Sequence, residues 1–558
     1  MTRILVSLLL LLGAAQAQET GLSFDKLFEL DAQKAHQLYE QKDYAGAATL
    51  LEELHHNPQL LLRSEDERIN LLYNLACYYS LAGDKRKALE ALEEAVDAGL
   101  SQADYMAKDA DLSNIRTEAR FKELLAEVEA RNKVEDTLWK SPALHTEYHP
   151  DLTEDEKVAG LSLLWSEAKY NFPYFERLPT LDWDATYLAY LPKARATKST
   201  FDYYKVLQEF YAQLHDGHTI VLYPSQLYDL VGSPPITTRL IEDKVLIENV
   251  WDPSLKEKGI VAGLEIVAVD GIPVMDYGNM FGAPLTSASS PQDLAHRVFE
   301  GYLLSGPKDS PVELTLRDGA GNTQKATLRR LTAGETQKLS PIPVSRFAFK
   351  MLPGGIAYVA LNTFQDEGVG KDFDAAYPEI EKSNALILDV RANSGGNGNI
   401  GFRILSYLTD KPFLTFAWST RDYRPAYRAW GRIENTYRGE PDLVQPHGGT
   451  AYTRPVVVLT SGGTYSGAEA FVVAFDSMQR GAIIGEPTGG LSGSPLSFPL
   501  PGGGSATVCS TVVRYPNGKE YEGVGIQPNV LVHPTISDFR AGRDTVLSAA
   551  VDYLTRKN

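Results

Sequence analysis

Two short apolar runs set the tightest limit on the fold. Residues 385–390 (ALILDV) and 456–460 (VVVLT) are almost unbroken aliphatic stretches, and each stops at small polar residues and paired glycines. A half-exposed strand would alternate polar and apolar positions, whereas a strand covered on both faces reads as a continuous run. Similar runs at 356–361 and 482–484 add further strands, and 400–408 and 467–479 between them carry helical periodicity. The pattern predicts an α/β unit over 340–558, with a sheet flanked by helices.

The ends of the two runs hold the residues with chemistry to offer. Residues 386–396 (LILDVRANSGG) pass from a strand into Asp389, Arg391, Asn393 and then Gly395-Gly396. Paired glycines let the backbone approach a bound group closely and aim N–H donors at it, although an ordinary glycine turn has the same composition. Residues 460–470 (TSGGTYSGAEA) place Ser466 where a helix begins. Free N–H groups and the positive end of the helix dipole there stabilise an alkoxide or a developing oxyanion. Serine is equally a preferred N-cap, and Glu469 suits the first turn as an acid complementing the dipole. Taken together, two strand ends with donors form a layout that can hold a peptide carbonyl and its oxyanion.

The remaining length holds other kinds of pattern. Residues 1–17 combine Arg3, a nearly all-aliphatic run over 4–12, and Ala15-Gln16-Ala17 as a small-residue cleavage site. This predicts a cleavable export signal and a periplasmic or secreted protein. No later run approaches the ~20 apolar residues needed to span a bilayer. Over 18–135 the periodicity is helical, and a unit around Asn74, Ala82, Ala88 and Leu92 recurs 41 positions earlier around Ala35, Asp43, Ala47 and Leu51. It resembles the tetratricopeptide repeat, whose stacked helix pairs leave a concave face for a protein partner; a plain helical bundle is the alternative. Residues 140–222 form a second helical block rich in aromatic residues, which read as packing. Over 225–335 short strands and turns take over, and 259–273 (GIVAGLEIVAVDGIP) with 312–316 resembles a PDZ domain, which binds extended chain ends at a sheet edge.

Several function classes are excluded. With 54 basic and 72 acidic side chains the formal charge is −18, which argues against a nucleic-acid-binding face. No HExxH occurs, and two cysteines, Cys77 and Cys509, build neither a zinc ribbon nor a disulfide framework. Both read as unpaired buried thiols.

In this order LILDVRANSGG, TSGGTYSGAEAF, IIGEPTGG and YEGVGIQPNV resemble the tail-specific (carboxy-terminal-processing) serine peptidase family, over about 140–558. The resemblance implies a crotonase-like (ClpP/crotonase) α/β core, and so a multidomain α and α/β chain. It also implies peptide or protein-tail substrates and no cofactor. One branch of the family uses a Ser-Lys dyad, but the lysine position here is Leu491. The branch resembling the tricorn core and interphotoreceptor retinoid-binding protein uses a histidine at the end of the helical block, which His218 matches, with His215 as competitor. The resemblance then implies Ser466 as nucleophile, His218 as base and Glu522 as the orienting acid. Gly467 with Gly395 or Gly396 would supply the oxyanion donors. In the tricorn arrangement a serine before the histidine relays to the acid; here that residue is Gly217, leaving direct contact, water or Thr219 as the link. A noncatalytic binder of peptides or apolar ligands on the same scaffold is the alternative.

Overall fold

The computed structural model describes residues 24–62, 65–339, 345–433 and 435–556. The predicted export signal at 1–17 lies outside them. Among the described residues no helix is long and apolar enough to cross a membrane. The chain divides after Pro142 into two units.

The first unit is helical. Helices α1 (Phe24–Glu40) and α2 (Tyr44–His55) pair, as do α3 (Glu65–Ala82) and α4 (Lys85–Asp97), and α5 (Ala119–Trp139) follows. The 41-residue recurrence has a local cause. Asp43 and Asp84 each cap the second helix of a pair, accepting the N–H of Gly46 and Lys87 respectively. The residue before each cap, Lys42 or Gly83, turns the chain at positive φ. Ala47, Ala48, Ala88 and Ala91 are buried where the paired helices meet. Small side chains at those positions let the helices approach closely.

The second unit is built on a six-stranded sheet. Its helical entry consists of α6 (Glu154–Asn171), α7 (Trp183–Ala196) and α8 (Thr200–Ala212), then strand β1 (Ile220–Leu222). Next comes an antiparallel sheet in the order β2 (Ile236–Ile241), β3 (Lys244–Val250), β4 (Glu265–Val269), β5 (Pro311–Arg317) and β6 (Thr323–Arg329), with helix α9 (Pro291–Ala295) inserted between β4 and β5. The core follows: β7 (Phe347–Leu352), β8 (Ile356–Leu361), α10 (Gly368–Ile380), β9 (Ala385–Asp389), α11 (Gly398–Ser406), β10 (Ala417–Asp422), β11 (Asn435–Gly439), β12 (Val456–Thr460), α12 (Gly467–Ser477) and β13 (Ala482–Gly485). The chain closes with β14 (Pro495–Pro499), β15 (Ser505–Cys509), β16 (Thr511–Arg514), β17 (Val530–Leu531) and α13 (Thr545–Arg556).

The main sheet runs β7-β8-β9-β12-β13-β17, and all pairs after the antiparallel β7–β8 are parallel. Both faces are covered. Leu386, Leu388, Val456 and Val458 meet α10, α11 and α12 through Phe373, Phe402 and Phe471. Ile387, Val457 and Leu459 meet α13 through Val546, Ala550 and Leu554. That two-sided burial is why the runs contain no polar alternation.

The aromatic helical block packs against β15, with Trp183 stacked on Phe210 at 4.3 Å and Leu164, Phe172 and Tyr211 in the same cluster as Val508 and Cys509. The block is not wholly helical. Strand β1 pairs antiparallel with β15, Ile220 opposite Thr507. A three-residue strand whose partner lies hundreds of positions away leaves no local periodic signal.

Candidate active site

Strand β12 ends at Thr460, and a tight loop returns the chain to the start of α12 at Ser466. Ser466 has φ +52° and ψ −117°, a backbone conformation that a non-glycine residue keeps only when its surroundings impose it. Glu469 supplies much of that constraint. Its fully buried carboxylate accepts the N–H groups of Ser466, Gly490 and Leu491 and the hydroxyl of Thr488, tying the serine turn to the 488–491 loop. Burial pushes this carboxyl up to about 8, against donors that favour its charged form. The Ser466 N–H also donates to the Leu491 carbonyl at 3.0 Å.

His218 arrives from the other side. Helix α8 ends, His215 turns the chain at φ +47°, and the 216–219 loop leads into β1. Buried Asp216 fixes this loop by accepting the His218 N–H at 3.0 Å and the Thr219 hydroxyl at 2.8 Å on Oδ1. Thr219 in turn accepts the Cys509 N–H, continuing the β1–β15 register. The half-buried His218 places Nε2 3.1 Å from Ser466 Oγ and Nδ1 3.1 Å from the Ser492 carbonyl oxygen. With Nδ1–H donating to that carbonyl, Nε2 is left to accept from the serine hydroxyl. Burial, with the nearby Arg297 charge, lowers the imidazole to about 4, so the ring is neutral at ordinary pH. His215 is exposed and is not brought to Ser466.

Glu522 is buried but does not bond His218. Its Oε2 accepts both the N–H and the hydroxyl of Ser492, the latter at 2.7 Å, while the carbonyl of the same Ser492 receives His218. The chain Glu522–Ser492–His218–Ser466 therefore replaces the three links left open between acid and base. Thr219 faces Asp216 and Cys509 instead. A relay serine at 217 would require its neighbours to move, because a Cβ on Gly217 would lie 2.7 Å from Leu491 Cδ1 and 2.8 Å from Arg297 Nη2 and Asp293 Oδ2. Glu522 and Asp216 are both held above the ordinary carboxylate range by burial, reinforced by the Asp216 charge at Glu522 and by the Asp293 charge at Asp216.

The glycines divide their work. The Gly395 N–H donates to Asn393 Oδ1 at 2.9 Å, so Gly395 is not a free donor; a Cβ there would press on Ser466 Cβ at 2.8 Å. Gly395 therefore gives clearance. Gly396 and Gly467 lie together, with a Cβ on Gly467 only 2.4 Å from the Gly396 carbonyl oxygen. Among the described residues neither of their N–H groups donates a hydrogen bond. Leu491 is buried, and its backbone rather than its side chain serves the site.

A segment from the antiparallel-sheet region seals one wall. Ser287 Oγ donates to the Asp216 carbonyl, the Gly217 N–H donates to Ser289 Oγ, and Ser290 Oγ donates to the Gly489 carbonyl. Arg297 pairs with buried Asp293 at 2.6 Å and lies over the Tyr465 ring. Asp216, Ser289 and Ser492 are site residues that sequence reasoning did not single out. The Asp216-Gly217-His218 turn carried a legible signal, because an aspartate two residues before a loop residue commonly accepts its N–H. Among the described residues no group of His, Cys, Asp and Glu could hold a metal ion. Cys77 and Cys509 are buried, unpaired thiols.

Residues 355–532 match the profile of peptidase family S41, which takes in Ser466, Ser492 and Glu522 but not His218. The chain is 26% identical over 402 residues to the chloroplastic carboxyl-terminal-processing peptidase 2 of Arabidopsis thaliana, covering 67% of this chain and 70% of that protein. It is 28% identical over 378 residues to the chloroplastic C-terminal processing peptidase of Tetradesmus obliquus, covering 63% and 71% respectively. Among solved structures, mature CPAF complexed with lactacystin aligns with a TM-score of 0.58 at 17% identity, over 72% of this chain and 97% of that one. That likeness is one of fold.

Proposed function

Starting from a core that is a peptidase family S41 domain of the tail-specific (carboxy-terminal-processing) serine peptidases, we propose that this chain hydrolyses peptide bonds by an acyl-enzyme route with Ser466 as nucleophile and His218 as base. The observation that carries the reading is the 3.1 Å contact between His218 Nε2 and Ser466 Oγ, with the ring oriented through its other nitrogen. Ser466 Oγ attacks the scissile carbonyl carbon while its proton passes to His218 Nε2. The oxyanion is met by the N–H groups of Gly396 and Gly467 at the start of α12, each such donor being worth roughly 10²–10³ in rate. Collapse expels the amine, which takes the proton from His218. Water then attacks the acyl-enzyme, giving its proton to His218 and releasing the acid and free Ser466.

Glu522 is a positioning residue in this scheme. It holds Ser492, and the Ser492 carbonyl holds His218 in the tautomer that leaves Nε2 free to accept. A leucine side chain at 491 accepts no proton, which favours the histidine mechanism over a Ser-Lys dyad.

The substrates are peptides or protein ends, as the names of the carboxyl-terminal-processing relatives suggest. The β2–β6 sheet with its inserted helix is read as a PDZ-like module that recruits them, the α/β core as crotonase-like, and the capped helix pairs of the first unit as a tetratricopeptide-like module for a protein partner. The export signal expected at 1–17 supports an activity in the periplasm or outside the cell. A fluorophosphonate probe tests the central claim. Labelling of the parent but not of Ser466→Ala is expected, and a folded parent that takes no label would sink the proposal.

A further inference from the structure

Strand β10 pairs with β16 on one side and with β11 on the other, and a loop that starts at Tyr423 leads from β10 towards β11. Between 417 and 439 the sequence holds Arg421, Arg424, Arg428, Arg432 and Arg438 against Asp422 and Glu434, a net +3 in a chain of −18. The same stretch carries five aromatic residues. One side of the loop is anchored: Tyr423 meets Tyr170 edge-on at 5.1 Å, Arg428 Nη1 donates to the Tyr170 hydroxyl at 3.5 Å, and Arg421 Nη1 of β10 donates to the Lys169 carbonyl at 2.6 Å. Trp430 is 63% exposed and Ile433 91% exposed. Arg424 pairs with Asp422, but Arg428, Arg432 and Arg438 form no ion pair among the described residues. The Arg432 guanidinium lies over both Tyr427 and Trp430, which keeps its charge beside these rings.

We propose that this loop and β11 are an interfacial anchor for an anionic lipid surface, with Trp430 and Ile433 entering the headgroup–acyl boundary and Arg428, Arg432 and Arg438 meeting lipid phosphates. Tryptophan and tyrosine favour that boundary because one end of the ring is apolar and the other polar. Arginine pairs with phosphate through a planar fork of donors. A protein partner would need complementary relief. Trp430 and Ile433 are exposed side chains on one loop, and a bilayer accepts such groups without matching their shape. The acidic remainder of the molecule is repelled by the same surface, so contact is confined to the loop and β11.

The test labels Ile433→Cys with an environment-sensitive dye, since Cys77 and Cys509 are buried. Vesicles of phosphatidylcholine containing about a third phosphatidylglycerol are added. A blue shift is expected with these vesicles. It should be absent with phosphatidylcholine alone and lost at about 1 M salt, where the screening length is about 3 Å. Replacing Arg428, Arg432 and Arg438 together with alanine should weaken vesicle binding by roughly fivefold per charge. The melting temperature should stay at the parent value, which shows that the core is folded. The proposal is overturned by an unshifted dye on anionic vesicles. It is also overturned by equal binding of parent and triple variant, or by a shift produced by polyglutamate and not by vesicles, which would assign the loop to an acidic protein.

Discussion

His218 is held by its neighbours in one useful state. Its Nδ1–H is committed to the Ser492 carbonyl, and burial keeps the ring neutral down to about pH 4. A base works only when unprotonated, so a lowered pKa moves the acid limb of activity downward, away from the ~6.5 of a free imidazole. The acid limb of kcat/KM should therefore fall near pH 4, and a limb near 6.5 would show that this environment is lost in solution. His218→Ala should lower kcat by at least ~10³ with little change in KM, measured on a fluorogenic peptide. Glu522 acts one residue further away. Glu522→Ala leaves the Ser492 N–H buried without its acceptor, and kcat should fall by about 10²; Glu522→Gln keeps a carbonyl acceptor and should recover part of it. Equal activity in both variants would detach Glu522 from the base.

Among the elements, the loops around the strand ends depend on one another. Gly217 sits where a relay serine would stand in the tricorn arrangement, yet Leu491, Arg297 and Asp293 already fill the space its side chain would need. Gly217→Ser should therefore destabilise the protein by about 1–3 kcal/mol and slow turnover instead of improving it, as read by thermal melting and peptide hydrolysis. A gain in rate would mean that the loop relaxes to admit the relay. The same comparison shows what the sequence could carry. Strand ends, helix starts and the two residues that the fold brings together, Ser466 and His218, were legible, because each lies in a short contiguous pattern. Ser492 was not, since its part is played by a backbone carbonyl and N–H that any residue possesses. Its position depends on how the 488–494 loop returns past Glu469. The choice between Gly395 and Gly396 was not legible for a related reason: glycine pairs look alike until a neighbour such as Asn393 takes one N–H.

For the molecule as a whole, the site forms only when segments far apart in the chain converge. His218 comes from the helical entry, Ser466 and Ser492 from the core, and the Ser287–Ser290 hydroxyls from the segment inserted between β4 and β5. Every one of these residues belongs to the unit that begins at Ala143. The first unit has its own core of buried alanine, leucine and tyrosine residues. Catalysis of a short peptide, which needs only the nucleophile, base and oxyanion donors, should then survive removal of residues 1–142, with kcat/KM within about threefold of the parent. Hydrolysis of a folded protein substrate is the reaction in which a partner-binding helical unit would matter, so the two substrates should separate the roles. Loss of short-peptide turnover in a truncated chain that melts at the parent temperature would show that the helical unit supports the site itself. Retention on both substrates would leave the helical repeats to a function apart from proteolysis.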